Sequence, residues 1–347
     1  MQQCLLELDA DVSKYTQDLA NEDIHEILLA LGYQQVNLWG GSWGTRSALL
    51  YANQFPQQVR TAILDGNAPL ENKVPLYGNA DAERALQILF EDCEYDIDCQ
   101  NSFTGLEQDF DEVLDAFGEA GYQVTHNDAT SGKPLTVNMT RTKFVNAIRS
   151  ILYSPQISRL IPIIIEQAQE SDFRTLFAVL DAMQSDVSVA DGAQLSVLCA
   201  EDFTRISNAE ISRESNRGFV GDAFLNVFQS GCSVWPAAPL PEIYSQDLSS
   251  QVPTLILSGA IDPVTPERWG EAMAELMSNS VHLIAPNTGH NVSPFGCAPE
   301  LMEQFVNEAS VTNIDGSCLD ELIRPSFFLD LNGPTPVPAT EIDTGVR

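Results

Sequence analysis

The chain has 347 residues, 44% of them apolar, which is ample for one large domain or for a core carrying an inserted second one. Aspartate and glutamate number 49 against 17 lysines and arginines, a formal charge of -32 that repels nucleic-acid phosphates and anionic lipid heads and argues against either as a partner. Such a surface serves mainly solubility, with attraction of cationic substrates as the functional alternative.

The first residues, "MQQCLLELDADVSKY", lack a basic region and turn acidic at once, so they do not read as a signal peptide. Residues 18–31 space their apolar side chains as a helix that Gly32 closes. "QVNLWG" follows as a short strand, then a glycine turn into a helix that stops at Pro56, then the strand "VRTAILDG". Strand, helix, strand is a parallel α/β unit. Residues 81–92 read as a further helix.

From about 100 to 248 the pattern turns helical and irregular, with helices read at 106–120, 141–153, 158–170 and 172–183. The longest apolar run, "LIPIII", is too short to span a bilayer and is interrupted by Pro162. The α/β pattern returns with "VPTLILSGAIDPVTP", a helix at 266–279, the strand "VHLIAP" and a helix at 298–309. The organisation expected is a core at 1–98, a helical cap at 99–248, the rest of the core at 249–330 and a flexible Pro-rich tail at 331–347. Four parallel strands can be drawn, at 36–40, 61–65, 253–258 and 281–285.

Seven cysteines show no CxxC pair or Cys/His cluster, which argues against a structural zinc site. Cys93 and Cys99 lie close together in a polar segment and read as a small disulfide loop. Six of the seven could pair, which implies an oxidising compartment and leaves one cysteine over.

The chemistry is carried by "GGSWG" at 40–44, a G-x-S-x-G turn with an apolar strand before it and a helix after it. This context makes Ser42 a nucleophile on a strained turn, where Gly40 and Gly44 avoid side-chain clashes. The backbone N–H of Trp43 can then donate to a developing oxyanion. The acid and then the histidine must follow in chain order. Asp262 ends a strand in "TLILSGAIDPVTP", where α/β ligand sites gather. Asp65, which also ends a strand, is its rival.

Of the four histidines, His25 precedes the serine on a helix, His126 falls in a polar loop and His282 alternates within a strand. His290, in "PNTGHN" after the last strand, is the one placed to serve as base. The fold expected is α/β, an α/β-hydrolase fold with a mostly parallel sheet and an inserted helical cap. Its serine chemistry needs no cofactor and no metal. A serine rather than an aspartate nucleophile argues against epoxide or haloalkane hydrolysis through an ester intermediate.

The segment "ALGYQQVNLWGGSWGTRSALLYANQFPQQVRTAILDG" resembles the proline iminopeptidase and tripeptidyl aminopeptidase branch of the α/β-hydrolases. "SVLCAEDF", "GCSVWP", "PTLILSGAIDPVTP" and "NTGHNVSPFGCAPELMEQFV" resemble the secreted tripeptidyl aminopeptidase-like group. The resemblance implies triad roles for Ser42, Asp262 and His290, and a lid formed by the inserted block. It implies disulfides Cys93–Cys99, Cys199–Cys232 and Cys297–Cys318, with Cys4 left over, and a secreted or periplasmic location.

Family members carry several strands before the elbow, an "HGGPG"-like loop that gives a second oxyanion donor, and a "DxRGxGxS" segment. Ser42 lies too near Met1 for these, so the chain is expected to correspond to the C-terminal part of a full enzyme, with an unpaired edge on its nucleophile strand. The function implied is a serine exopeptidase acting on short peptides with a free N-terminus. Such an enzyme needs a buried carboxylate for the α-ammonium, and "CAEDF" offers Glu201 and Asp202. An ester hydrolase with the same triad and an inactive fragment are the alternatives, and the oligomeric state is left open.

Overall fold

The computed structural model describes residues 2–127, 131–183, 190–246 and 248–334. Six strands occur among them: β1 (Val36–Gly41), β2 (Val59–Asp65), β3 (Tyr122–Asn127), β4 (Pro134–Met139), β5 (Thr254–Gly259) and β6 (Ser280–Ala285). β1, β2, β5 and β6 form one parallel sheet in the order β1-β2-β5-β6. These are the four strands read from the sequence, and the fold is the α/β-hydrolase fold with a largely parallel sheet and an inserted helical region.

The central strands β2 and β5 are apolar along most of their length because both faces are covered. Period-two alternation sorts their residues between two layers. Leu64 and Ile256 face one way, into a cluster with Leu49, Leu50 and Ala52 of the helix Trp43–Gln54 and Met273 of the helix Glu267–Leu276. Ile63, Leu255 and Leu257 face the other way, against Leu301 and Phe305 of the helix Ala298–Glu308. β1 pairs with β2 alone among the described strands, and its burial alternates, leaving Trp39 60% exposed at the sheet edge.

The chain divides into two compact units. The first comprises residues 1–85, 152–154 and 185–323, and holds the parallel sheet. It also holds the helices Asp191–Glu201 and Ala223–Cys232, which Cys199–Cys232 joins. The second comprises residues 86–151, 155–184 and 324–347. There Phe110, Phe117, Phe144 and Phe173 form an aromatic cluster among the helices Leu106–Ala116, Arg141–Ile151 and Ile161–Gln169. Pro162 does not interrupt that last helix; it stands in its first turn, where a missing N–H costs nothing. Of the tail expected at 331–347, residues 335–347 lie outside the described residues.

One element was not expected. β3 and β4 pair as an antiparallel hairpin, with Val124 opposite Val137. His126, read as a loop residue, therefore sits on a strand, where its ring stacks on Phe177 at 4.1 Å. "YQVTHN" and "PLTVNM" do alternate, with Tyr122, Val124 and His126 less exposed than Gln123, Thr125 and Asn127, but each run is only six residues and stands within a segment that reads as helical. No described helix is long and apolar enough to cross a membrane.

The three disulfides Cys93–Cys99, Cys199–Cys232 and Cys297–Cys318 are all formed, and Cys4 is free and exposed. They are consistent with an extracytoplasmic environment. Their sequence separations of 6, 33 and 21 set how much each restrains the unfolded chain. In the chain-entropy picture, opening Cys199–Cys232 by a double serine replacement is expected to cost about 4 kcal/mol, and opening Cys93–Cys99 about 2 kcal/mol. Urea unfolding of the two variants checks this; a larger loss at Cys93–Cys99 would contradict it.

Candidate active site

Ser42 follows β1 directly and opens the helix Trp43–Gln54, with its backbone at φ 55° and ψ -121°. A non-glycine residue holds such a conformation only where its surroundings enforce it, at a cost on the order of 1–3 kcal/mol. The enforcement is visible. A Cβ at Gly40 would lie 2.3 Å from the Gly44 carbonyl oxygen, so only glycine fits there. A Cβ at Gly44 would meet nothing within 4 Å, so the clash expected at both glycines operates at Gly40 alone. The Ser42 N–H donates to the Asp65 carbonyl at 2.8 Å. The Thr45 hydroxyl donates to the Ser42 carbonyl at 2.7 Å and accepts the Ala68 N–H at 2.9 Å. Trp43 takes the first helical position, where the backbone N–H has no acceptor within the helix. Its indole N–H donates to Gln17 at 2.9 Å.

Asp262 lies fully buried in the turn after β5. Its Oδ1 accepts the N–H groups of Val264 and Thr265 at 2.7 and 2.9 Å. Its Oδ2 accepts the Thr265 hydroxyl at 2.7 Å and meets His290 Nδ1 at 2.7 Å. Burial alone would raise the pKa of this carboxyl, but the His290 ring and the Thr265 donors outweigh burial and hold it below the usual range. The two loops can meet because β5 ends in glycine: a Cβ at Gly259 would lie 2.1 Å from the Gly289 carbonyl oxygen. His290 is fixed from a second side, where its N–H donates to the Tyr153 carbonyl at 2.9 Å and the two rings meet edge to face at 5.1 Å. With Nδ1 given to a carboxylate, base chemistry falls to Nε2.

Asp65 and Asp262 are thus separated by geometry. Asp262 holds the imidazole, whereas Asp65 spends its carboxylate on the N–H groups of Val292 and Ser293, both at 2.8 Å.

Glu201 and Asp202 lie side by side at the end of the helix Asp191–Glu201. Both are fully buried. Asp202 forms a two-oxygen ion pair with Arg46 at 2.8–2.9 Å and also takes Arg205 and the Val74 N–H. Glu201 accepts the Gln17 N–H at 2.6 Å and the Tyr244 hydroxyl. The protein's own donors therefore engage both carboxylates. Arg46 spends its remaining N–H groups on the carbonyls of Ala68, Pro69 and Asn72. Reasoning from sequence missed Arg46, Tyr153, Thr265 and Tyr244. Arg46, one turn beyond the nucleophile, gave the only available signal, a charge on the face of a helix that must pack on the sheet.

Burial pushes the Glu201 carboxyl up to about 7, against the bonds from Gln17 and Tyr244. The folded chain therefore keeps this proton where the unfolded chain has lost it. The stabilisation is complete below the unfolded value of 4.5 and is lost as pH rises through about 7. Glu201→Gln mimics the protonated form. The stability of the native chain relative to this variant is expected to fall by on the order of 2–3 kcal/mol between pH 4.5 and 8. Parallel urea titrations of the two proteins check it, and a difference that does not vary with pH would contradict the assignment.

Residues 217–318 match the family model described as "TAP-like protein", and residues 4–94 match that described as "alpha/beta hydrolase fold". Among curated proteins the chain is similar to "Serine protease Hip1" of Mycobacterium tuberculosis and of Mycobacterium bovis, 26% identical over 298 residues. That match covers 78% of this chain and 55% of the relative, so the chain spans about half the length of the curated relatives it matches. Among solved structures it is similar to a meta-cleavage product hydrolase (CumD) of Pseudomonas fluorescens, with 13% identity over 87% of this chain and 74% of that one, at a TM-score of 0.34. An esterase (EaEST) from Exiguobacterium antarcticum gives 15% identity over 87% and 77%, also at 0.34. The chain carries an α/β-hydrolase domain with a TAP-like C-terminal region and is similar to a serine protease.

Proposed function

We propose that the chain is a serine hydrolase that moves the acyl group of a carboxylic ester or amide first to Ser42 and then to water. The observation that carries this reading is the 2.7 Å bond between His290 Nδ1 and Asp262 beside an elbow serine at φ 55°. In the first half-reaction Ser42 Oγ attacks the carbonyl carbon while His290 Nε2 takes the Oγ proton. Asp262 fixes the imidazole tautomer and stabilises the imidazolium. The Trp43 N–H donates to the oxyanion. The intermediate collapses, the C–O or C–N bond breaks, and the departing alcohol or amine takes the proton from His290. Water then repeats the sequence on the acyl-enzyme and releases the acid.

Ester cleavage requires no anchor beyond this machinery, and the engagement of Glu201 and Asp202 by the protein's own donors favours it as the basal activity. A second reading, a serine exopeptidase of tripeptidyl or prolyl aminopeptidase type acting on short peptides with a free N-terminus, is supported by the likeness to a serine protease and to TAP-like proteins. That reading gives the ammonium to Glu201 or Asp202, which would have to share it with their present partners, Gln17 and Tyr244 on Glu201 and Arg46 and Arg205 on Asp202. The disulfides support a secreted or periplasmic site of action.

Short-chain p-nitrophenyl esters, tripeptidyl amides and their N-blocked counterparts separate the readings. Ester turnover that disappears in Ser42→Ala is expected. Amide turnover confined to unblocked peptides would establish the exopeptidase reading, and equal turnover of blocked peptides would remove it. Asp262→Asn is expected to fold normally and to lose about 10⁴-fold in turnover as tautomer control is lost. Near-normal turnover in that variant would overturn the role of Asp262.

A further inference from the structure

Asp65 is buried completely at the end of β2, in register between Gly41 of β1 and Leu257 of β5. Its acceptors point to two places that must cooperate in the reaction proposed above. The backbone carbonyl takes the Ser42 N–H at 2.8 Å and the Asn291 side-chain amide at 2.8 Å. The carboxylate takes the N–H of Val292 on Oδ1 and that of Ser293 on Oδ2, each at 2.8 Å.

One residue thus grips the backbone of the nucleophile and the three residues that follow the histidine. The surrounding chain is shaped to allow this. Asn291 holds φ 70° and Gly66 holds φ 70°. A Cβ at Gly66 would lie 3.1 Å from Asn291 Nδ2 and from Thr265 Oγ1, and 3.2 Å from His290 Cε1, so Asp65 and the imidazole face are separated by a position with little room for a side chain.

We propose that Asp65 is a positioning residue that sets the approach of His290 to Ser42, acting through backbone and side-chain amide groups rather than through the imidazole. The proposal rests on the triad reading. A carboxylate suits this place because both oxygens meet N–H donors. An asparagine amide would present N–H to N–H on one side, while keeping the size and shape of the side chain. Reaction geometry is sensitive to such a change, since a misplacement near 1 Å costs about 10²-fold in rate. The alternative role for Asp65 is that of the acid itself. The structure offers it the loop backbone, and offers His290 Nδ1 to Asp262 and Thr265.

The test compares native chain, Asp65→Asn, Asp262→Asn and Asn291→Gly in ester hydrolysis, in labelling rate by a fluorophosphonate and in low-field proton NMR. Asn291→Gly keeps the left-handed backbone and removes only the side-chain bond to the Asp65 carbonyl, so it carries the test if Asp65→Asn does not fold. The expectation for Asp65→Asn is a kcat lowered 10- to 100-fold with KM within about two-fold, and slower labelling. The low-field signal of the His290–Asp262 bond should be retained there and lost in Asp262→Asn. Asn291→Gly is expected to lower kcat about three- to ten-fold, again without change in KM. Native kcat in Asp65→Asn and in Asn291→Gly, even with lowered melting temperatures, would overturn the proposal and leave Asp65 as scaffold. Loss of the low-field signal in Asp65→Asn with its retention in Asp262→Asn would overturn it in favour of the acid role. Failure of the native chain to label at Ser42 would defeat the underlying triad reading and this proposal with it.

Discussion

The structure depends on a serine held where serine does not rest. Ser42 at φ 55° stores strain that its own side chain cannot relieve, so the turn persists only through what surrounds it. Gly40 lets the Gly44 carbonyl approach, and Thr45 bridges the Ser42 carbonyl to the Ala68 N–H. The Ser42 N–H is anchored on the neighbouring strand. The strained serine sits half-buried at the point where a helix begins and its first N–H groups lack intrahelical partners.

Behind the turn stands a buried charge. Arg46 is fully buried, and its guanidinium bonds go to Asp202 and to the carbonyls of Ala68, Pro69 and Asn72. It also lies 4.2 Å from the Trp43 ring centre. An ion pair in such a place contributes little net stability, because the desolvation of both groups offsets their attraction. Its effect is geometric. The bonds tie the elbow helix to the loop after β2 and to the end of the helix Asp191–Glu201, and loss of Asp202 would strand the Arg46 charge in the interior, whereas loss of Arg46 would leave Asp202 with Arg205. The acids of "CAEDF" face inward because Asp202 is paired with Arg46 of the elbow helix and Glu201 with the Gln17 N–H and the Tyr244 hydroxyl. It also shows how a chain with only 17 lysines and arginines spends one of them entirely inside.

The parts of this site that were legible in the sequence are those fixed by local chemistry. G-x-S-x-G between strand and helix singles out Ser42 for the role proposed above, and chain order singles out Asp262 and His290, which are bonded to each other. β2 and β5 were readable because burial on both faces leaves each an apolar run, at 62–64 and at 255–257. What was not legible depends on contacts distant in sequence. Tyr153 meets His290 across 137 positions through a carbonyl and a ring edge, neither of which leaves a pattern. Asp65 looks the same as an acid candidate or as a clamp until its donors are seen. The hairpin of β3 and β4 escaped notice because its two alternating runs are only six residues each and lie among helical segments.

The central claim is that elbow, base and acid act on one acyl group. It is tested most directly by a crystal structure of the chain after treatment with a phosphonate ester that mimics the tetrahedral intermediate. The account predicts phosphorus bonded to Ser42 Oγ, a phosphoryl oxygen accepting the Trp43 N–H, and His290 turned with Nε2 toward the adduct while Nδ1 stays on Asp262. Phosphorus on another residue, or an adduct on Ser42 with His290 parted from Asp262, would contradict it.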